Sequence, residues 1–280
     1  QELQSFVDSF TPDVIHTHLF EAEFVSRCVR YPKAKWFSHC HDNMKQFRSF
    51  DSKTLCNKNL LTNWYEKHRL LANYKRNGGT TFVAISADTL KFFELNGGDN
   101  SVEFLANAIQ CGNFASAKIG RVSSNTLRLI NIASFQVKKN QQFIVEVAKE
   151  LKNRDVDFSI AFLGDGTERD HVQQRVAEYG LESFCTFCGN VNNVSQYLQQ
   201  SDIYIHTAKY EPFGLVLIEA MAAGLPVVCL DAKGNRDIME QGKNGYIINE
   251  QIPSLFADAV LKIWNDKTLY DSMSAYAQDF

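Results

Sequence analysis

The feature that most constrains the fold of this chain is the alternation of short apolar runs with amphipathic stretches. Amphipathic patterns typical of helices cover 141–153, 168–179, 194–200 and 252–264. Apolar runs typical of buried strands cover 14–18, 36–39, 81–86, 102–107, 127–133, 158–163, 186–188, 203–207, 226–230 and 246–248. Strands and helices that alternate in this way form βαβ units, in which helices cover both faces of a parallel sheet. The sequence therefore predicts an α/β fold.

The length of the chain and one interruption of the pattern predict two domains. A chain of 280 residues exceeds the usual size of one domain. Segment 110–125 loses periodicity and is rich in small residues, and a new strand pattern begins at Leu127. We therefore expect two α/β domains, over 1–115 and 116–280.

Charge and hydropathy exclude two classes of protein. The formal net charge is −3, so the chain lacks the overall positive charge typical of nucleic-acid-binding proteins. The longest apolar stretch, 220–230, is far shorter than the roughly 20 residues that a membrane-spanning helix needs. Seven cysteines without paired spacing indicate a reducing compartment. Cys185 and Cys188 form a C-x-x-C within a predicted strand, and without a second such pair they are predicted to be structural thiols.

The most informative segment is 210–226. A turn in it leads into a helix predicted over 215–223, which is apolar almost all round and is therefore expected to be buried. Glu219 is the only charge in this helix and needs a partner. Glu211 precedes the helix start, where free backbone amides favour anions. This arrangement suits a phosphorylated sugar; the alternative is a core ion pair at Glu219 and a surface role for Glu211.

The same segment carries a family resemblance. Glu211 and Glu219, with Phe-Gly after the first and Glu-Ala-Met-Ala-Ala-Gly-Leu-Pro-Val-Val from the second, resemble the E-x7-E signature of retaining glycosyltransferases of the group-1, family-four type. That family has two Rossmann-like domains facing across a cleft, the GT-B arrangement. Further segments resemble its phosphate loop, the following strand end, its nucleobase loop and a later turn: 132–141, 162–166, 187–191 and 244–245.

The resemblance implies roles for the residues around the predicted helix. Glu211 would bind the hydroxyls of the donor sugar and orient the reacting centre. Glu219 would bind the ribose hydroxyls, which gives its carboxylate a partner. The backbone amides of Phe213, Gly214 and Leu215 would meet the sugar or its diphosphate.

The resemblance also assigns the donor-binding loops. Lys139 would neutralise the leaving diphosphate in place of a metal ion, although an exposed lysine pair is usually only a solvated surface. Many family members have an arginine where this chain has Ser134, whose hydroxyl can donate a hydrogen bond but cannot neutralise charge. Gly164, Asn190 and Val191 complete the predicted donor site.

Two H-x-H patterns lie at strand ends in the first domain, at His16 and His18 and at His39 and His41. Because residues two apart share one face of a strand, either pair could chelate a metal. The resemblance instead places His18 at the cleft, as a catalytic group near the donor and acceptor, and assigns no metal ligand. It gives three residues to the acceptor side: His41, Ser86 and Asn107.

Segment 43–76 combines positive charge with aromatic residues. Its eight basic and two acidic side chains give a net charge of +6. The interleaved aromatic residues are Phe47, Phe50, Trp64, Tyr65 and Tyr74. This composition favours contact with anionic lipids or a lipid-diphosphate acceptor; the alternative is a solvated helical face.

Together these observations predict a metal-independent, retaining, hexosyltransferase-type enzyme without a cofactor. It would transfer sugar from a UDP- or GDP-linked donor to a growing glycan or lipid-linked acceptor in bacterial surface polysaccharide synthesis, in the cytoplasm or at the inner membrane face. The rivals are a nucleotide-sugar-binding remnant without turnover, a metal-dependent hydrolase using the H-x-H pairs, and a glycoside hydrolase using Glu211 and Glu219. The chain opens on Gln1, and we expect truncation at both ends, with the opening strands of the first domain missing.

Overall fold

A computed structural model of the protein describes residues 1–48, 57–114 and 125–280. It divides the chain into two compact units, Gln1–Asn107 and Ala108–Phe280. Residues 115–124, where the sequence places the domain boundary, lie outside the described residues, so the boundary between 115 and 116 stays a prediction.

The first unit has one parallel sheet of four strands, in the order β1-β2-β3-β4. The chain alternates between helix and strand throughout, which is why each strand runs parallel to the one before it. The elements are α1 Glu2–Phe10, β1 Val14–His18, α2 Phe20–Ser26, β2 Lys35–Cys40, α3 Lys58–Arg76, β3 Thr81–Ala84, α4 Ala87–Asn96 and β4 Ser101–Phe104.

The second unit has a parallel sheet of six strands in the order β10-β9-β8-β5-β6-β7. Counted from β5, this is the 3-2-1-4-5-6 order of a doubly wound nucleotide-binding fold. The elements are β5 Leu127–Ile132, α5 Gln141–Asn153, β6 Phe158–Leu163, α6 Arg169–Glu178, β7 Cys185–Gly189, α7 Val194–Gln199, β8 Ile203–His206, α8 Leu215–Ala222, β9 Val227–Leu230, β10 Gly245–Ile248, α9 Pro253–Asn265 and α10 Lys267–Asp279.

Burial explains why these segments form strands. All four residues of β8 and of β9 are buried, and apolar side chains from α5 and α9 pack on the sheet, with Phe143 and Phe256 in edge-to-face contact. The ten predicted strands are confirmed. Five of them are shorter than predicted, and the largest differences are at β3, which ends at Ala84, and at β4, which ends at Phe104.

The predicted C-x-x-C strand is β7, in which Cys185 is buried and Cys188 half-buried. Both thiols are free, and burial raises the pKa of Cys185 to about 12. Over the described parts of the chain, no helix combines the length and the apolar character needed to cross a bilayer.

Candidate functional site

The candidate donor site lies where the strand order of the second unit reverses, between β5 and β8. In doubly wound sheets, ligands bind at the carboxyl ends of the strands on either side of this reversal. The segment after β5 carries Lys139, and the segment after β8 carries Glu211. The topology therefore brings together two residues that are 72 positions apart in the sequence.

Lys139 and Glu211 form an ion pair. The distance from Lys139 Nζ to Glu211 Oε2 is 2.5 Å, and the two side chains are only 17% and 12% exposed. A pair so shielded from water interacts more strongly than one on the surface. The alternative of a surface role for Glu211 therefore fails, and Lys139 is not part of a merely solvated face.

A buried histidine completes this charged group. His206, the last residue of β8, is 1% exposed, and its Nε2 atom lies 3.3 Å from Glu211 Oε2. Burial alone would raise the pKa of Glu211, but the adjacent His206 imidazole and the Lys139 charge lower it to about 2. Burial in turn lowers the pKa of His206. The Glu211 carboxylate is thus ionised throughout the neutral pH range.

The two loops that carry this group are tied together by hydrogen bonds. Thr207 Oγ1 donates to the carbonyl oxygens of Lys139 and Asn140, at 3.2 and 3.0 Å. The amide of Lys209 donates to the Lys138 carbonyl, at 2.8 Å. Sequence reasoning missed both His206 and Thr207, although their place at the carboxyl end of a strand beside the reversal would have identified them.

Loops from β5 and β6 form the next part of the predicted site. Ser134 is exposed, and its carbonyl accepts a hydrogen bond from the Gln141 side chain. Gly164 has φ +124°, and a Cβ atom there would lie 2.1 Å from the Ala133 carbonyl oxygen. Only glycine therefore allows the β6 loop to pack against the β5 loop.

Asn190 and Val191 directly follow β7. Asn190 is exposed and Val191 is half-buried. Both lie at the carboxyl edge of the sheet, on the side that the β5 and β6 loops also occupy. Their predicted contact with the donor stays a prediction.

The N-terminus of α8 offers unpaired amides. Gly214 takes a left-handed conformation with φ +103°, and within the described residues the amides of Phe213, Gly214 and Leu215 donate no hydrogen bond. Phe213 is buried at 5% exposure and anchors this turn. Such amides together with the helix dipole favour an anion.

The helix α8 is largely buried, as expected, but one side of its first turn is open to solvent. Leu215 is 39% exposed, and Glu219, one helical turn further, is half-buried. Burial raises the pKa of Glu219, and no hydrogen bond or ion pair to its carboxylate is found within the described residues. The alternative of a core ion pair at Glu219 therefore fails, and the carboxylate is open to a ligand.

The predicted acceptor-side residues lie at the carboxyl edge of the first unit's sheet. His18 ends β1 and His41 follows β2, and His18 Nδ1 lies 2.8 Å from His41 Nε2. Ser86 is fully buried, and its hydroxyl caps α4 by accepting from the Thr89 amide. Asn107 is half-buried, three residues beyond β4. The acceptor roles of these residues remain predictions.

The second H-x-H pair adjoins the first. His39 stands opposite His18 in the β1–β2 register, and its Nδ1 lies 3.3 Å from His16 Nε2. Burial and the neighbouring imidazoles lower the pKa of His39 to about 4. The pKa values of His16 and His41 are also lowered, mainly by burial and secondly by the neighbouring His18. All four rings thus share one face of the sheet.

The segment 43–76 is only partly a surface. Phe47 and Tyr74 are fully buried core residues, which corrects the view that its aromatic residues form one face. Phe50 lies outside the described residues. Among the described residues of this segment, the exposed apolar side chains occupy the first turns of α3, and they are Leu60, Leu61, Trp64 and Tyr65.

Comparison with known proteins identifies this architecture. Residues 115–280, more than half of the chain, match the family model described as "Glycosyl transferases group 1". The N-acetyl-alpha-D-glucosaminyl L-malate synthase of Bacillus anthracis is 29% identical over 158 residues, covering 56% of this chain and 41% of that protein. The poly(ribitol-phosphate) alpha-N-acetylglucosaminyltransferase of Staphylococcus aureus is 28% identical over 142 residues, which cover 50% of this chain and 29% of that enzyme. The chain therefore spans less than half of these relatives.

Solved structures give the same result for the fold. The Anabaena protein HepE, in complex with UDP and glucose, superposes with a TM-score of 0.78 at 18% identity, covering 99% of this chain and 75% of HepE. The structure of TarM gives a TM-score of 0.80 at 20% identity, covering 99% of this chain and 53% of TarM. The predicted fold class, α/β with Rossmann-like domains of the GT-B type, is confirmed.

Proposed function

Because this chain belongs to the group 1 glycosyl transferases, we propose that it transfers a sugar from a nucleotide-sugar donor to an acceptor, with retention of anomeric configuration. The observation that carries this proposal is the pairing of Lys139 with Glu211 beside the strand reversal. A cation for a diphosphate and a carboxylate for sugar hydroxyls stand side by side there, at the edge of the sheet where nucleotides bind.

The diphosphate has a defined place in this proposal. Lys139 supplies the positive charge that stabilises the leaving nucleoside diphosphate, so the reaction needs no metal ion. The free amides of Phe213, Gly214 and Leu215 receive the remaining phosphate or sugar oxygens. A bound diphosphate exchanges one anionic partner of Lys139 for another, so the buried ammonium is never left unpaired.

In this proposal, Glu211 binds the donor sugar and Glu219 binds the ribose of the nucleotide. Glu211, held ionised, accepts hydrogen bonds from the donor-sugar hydroxyls and orients the reacting carbon. Glu219 accepts from the ribose hydroxyls, which supply the partner that its carboxylate lacks within the described chain. Ser134 donates one hydrogen bond to the diphosphate but adds no charge, so Lys139 is the main cation.

The relatives narrow the substrate class. HepE binds UDP and glucose, and the similar pneumococcal O-GlcNAc transferase GtfA binds UDP and GlcNAc, which supports a UDP-linked hexose over a GDP-linked one. The poly(ribitol-phosphate) enzyme and a lipopolysaccharide core glycosyltransferase support a bacterial glycan or lipid-linked acceptor in surface polysaccharide synthesis. His18 and His41, with Ser86 and Asn107, are proposed to serve the acceptor side.

Replacing Lys139 by methionine should weaken UDP binding by about 10- to 100-fold, because a charged hydrogen bond contributes about 1.5–3 kcal/mol. Lys138→Met is the matched control, since that side chain is the exposed neighbour and should leave the affinity within about twofold. Isothermal titration of both variants with UDP and GDP measures the effect. Equal loss in both variants, or in neither, contradicts the role of Lys139.

We also propose a cytoplasmic enzyme that contacts the inner membrane face through the start of α3. Leu61, Trp64 and Tyr65 are exposed there beside Lys58 and Arg69, and amphipathic surfaces of this kind bind anionic bilayers. The protein should float with vesicles containing phosphatidylglycerol and not with phosphatidylcholine alone.

The double variant Leu61→Ser/Trp64→Ser should lose vesicle flotation. Leu95→Ser is the control, because Leu95 is also exposed, at 75%, but lies on α4. Absence of binding to anionic vesicles, or equal binding by all three proteins, refutes the membrane contact.

A further inference from the structure

Four histidines of the first unit form one cluster. His16 and His18 project from the same face of β1, because residues two apart in a strand share a face. His39 and His41 do the same at the end of β2, and the parallel register sets His39 opposite His18. Neighbouring ring centroids in the cluster are 4.5 to 5.3 Å apart.

The ring nitrogens converge as metal ligands do. The ligand atoms of His16, His18 and His39 all lie within 4.8 Å of one another. The contact between His39 Nδ1 and His16 Nε2 is 3.3 Å, close to the ~3.3 Å edge of a tetrahedron with zinc–nitrogen bonds of about 2.05 Å. His18 Nδ1 and His41 Nε2 are 2.8 Å apart, so the fourth ring adjoins the other three.

The fold makes little other use of these rings. Within the described residues, the hydrogen-bond contacts of these rings join one histidine of the cluster to another. The Nε2 atom of His39 is buried and lacks a partner within the described residues. A structural histidine normally bonds a carboxylate or a backbone carbonyl, and a buried nitrogen without a partner costs stability. His16 and His18 are exposed, which leaves a path from solvent.

We propose that His16, His18 and His39 bind one divalent transition cation, with Zn²⁺ the cation that fits best. Imidazole nitrogens prefer zinc, copper and nickel to magnesium or calcium. Bound to His18, the cation would hold that imidazole in place on the acceptor side, and it forms no part of the donor site. Its site lies in the first unit, whereas Lys139 provides the charge at the donor site in the second.

The test uses the full chain, without a histidine tag, titrated with Zn²⁺ and with Co²⁺ as a spectroscopic probe. One ion should bind per chain, and Co²⁺ should give the visible absorption of a tetrahedral nitrogen site without a thiolate charge-transfer band. His39→Ala and His16→Ala should each weaken Zn²⁺ binding by at least about 10- to 100-fold. His171→Ala is the control, because that imidazole is 66% exposed and lies outside the cluster.

Thermal unfolding separates ligand loss from misfolding. Without metal, His39→Ala should unfold at the wild-type temperature or slightly above it, because a buried nitrogen without a partner is removed. With Zn²⁺ present, only proteins with the intact cluster should gain stability.

Absence of stoichiometric Zn²⁺ binding overturns the proposal, as does binding that survives both substitutions. So does loss of binding in Cys28→Ser or Cys111→Ser, since those exposed thiols would then be the ligands. UDP binding should be unaffected throughout, which keeps this result independent of the proposed transferase function.

Discussion

Replacing Glu211 by glutamine is expected to lower the turnover of the nucleotide sugar by about 100- to 1,000-fold. Glutamine keeps the size of the side chain but removes the negative charge that is held next to Lys139. If Glu211 orients the donor sugar, its charge acts on the reacting centre, so the loss falls on turnover and not on folding. Release of UDP from a panel of UDP- and GDP-sugars, with products identified by mass spectrometry, measures it.

The affinity for UDP should move in the opposite direction. In the proposed mechanism, Glu211 and a diphosphate compete for the Lys139 ammonium. Glu211→Gln removes the competitor, so UDP should bind as tightly as before or more tightly. This combination of lower turnover and undiminished affinity distinguishes a role at the sugar from general damage to the site.

Two further variants complete the test. Glu178→Gln alters a half-exposed carboxylate on α6 and should leave both turnover and UDP affinity near the wild-type values. The double variant Glu211→Gln/Lys139→Met should show non-additive losses, because the two side chains touch. Undiminished turnover in Glu211→Gln would sink the role assigned to this residue. Tight UDP binding without turnover by the wild-type chain would instead favour a binding protein that lacks catalysis.

The pH dependence adds an independent check. Because the pKa of Glu211 lies near 2, the carboxylate stays ionised as pH falls from 8 to 5, and its protonation cannot produce an acid limb in that interval. If the activity of the wild-type protein falls as pH falls within that interval, the residual activity of Glu211→Gln should show the same fall.

Replacing Arg27 by methionine should destabilise the first unit by about 3–5 kcal/mol, because it leaves a buried charge without its partner. Arg27 and Glu23 are 0% and 1% exposed, and Arg27 Nε lies 2.8 Å from Glu23 Oε1. The guanidinium also donates to Ser38 and lies over the Trp36 ring, 4.3 Å from the centroid. Methionine fills the space but supplies neither the charge nor the donors.

Urea unfolding of the full chain, followed by tryptophan fluorescence, measures this loss. Trp36 and Trp64 report on the first unit and Trp264 on the second, so the transition of each unit is assigned through single Trp→Phe backgrounds. Arg30→Met, at an exposed site, should change the free energy of unfolding by less than about 0.5 kcal/mol.

A double variant tests the cause. In Glu23→Leu/Arg27→Met both charges are absent, so this protein should be more stable than Arg27→Met alone. An Arg27→Met protein as stable as the wild type would show that Glu23 does not need its partner. A double variant less stable than the single one would assign the loss to packing and not to charge.

The sequence predicted the fold well because buried parallel strands leave a strong local signal. The strands β8 and β9 are buried on both faces, and their apolar runs mark them within two residues. Strand ends were less certain, since Ile85 and Leu105 are apolar but lie beyond β3 and β4. Apolar character alone does not say where pairing stops.

The sequence predicted which residues belong to the candidate site, but it could not predict the contacts between them. The approach of His206 to Glu211 depends on the path of the loop after β8, which no local pattern encodes. The same limit applies to Phe47 and Tyr74. The basic and aromatic composition of their segment suggested an exposed surface, but both side chains lie in the core beside Phe82. Whether a side chain is buried depends on the residues that pack against it from other parts of the fold, and a single sequence does not show which residues those are.

The hydrogen bonds from Thr207 to the Lys139 and Asn140 carbonyls, and from Lys209 to Lys138, have a mechanical consequence. The segment after β5 cannot move outward without breaking its links to the segment after β8. The two segments therefore open as one cooperative element, and a ligand that grips either of them restrains both. In the proposed reaction, a diphosphate that orders one segment therefore also orders the carboxylate on the other, so that the nucleotide prepares the place of the hexose that it carries.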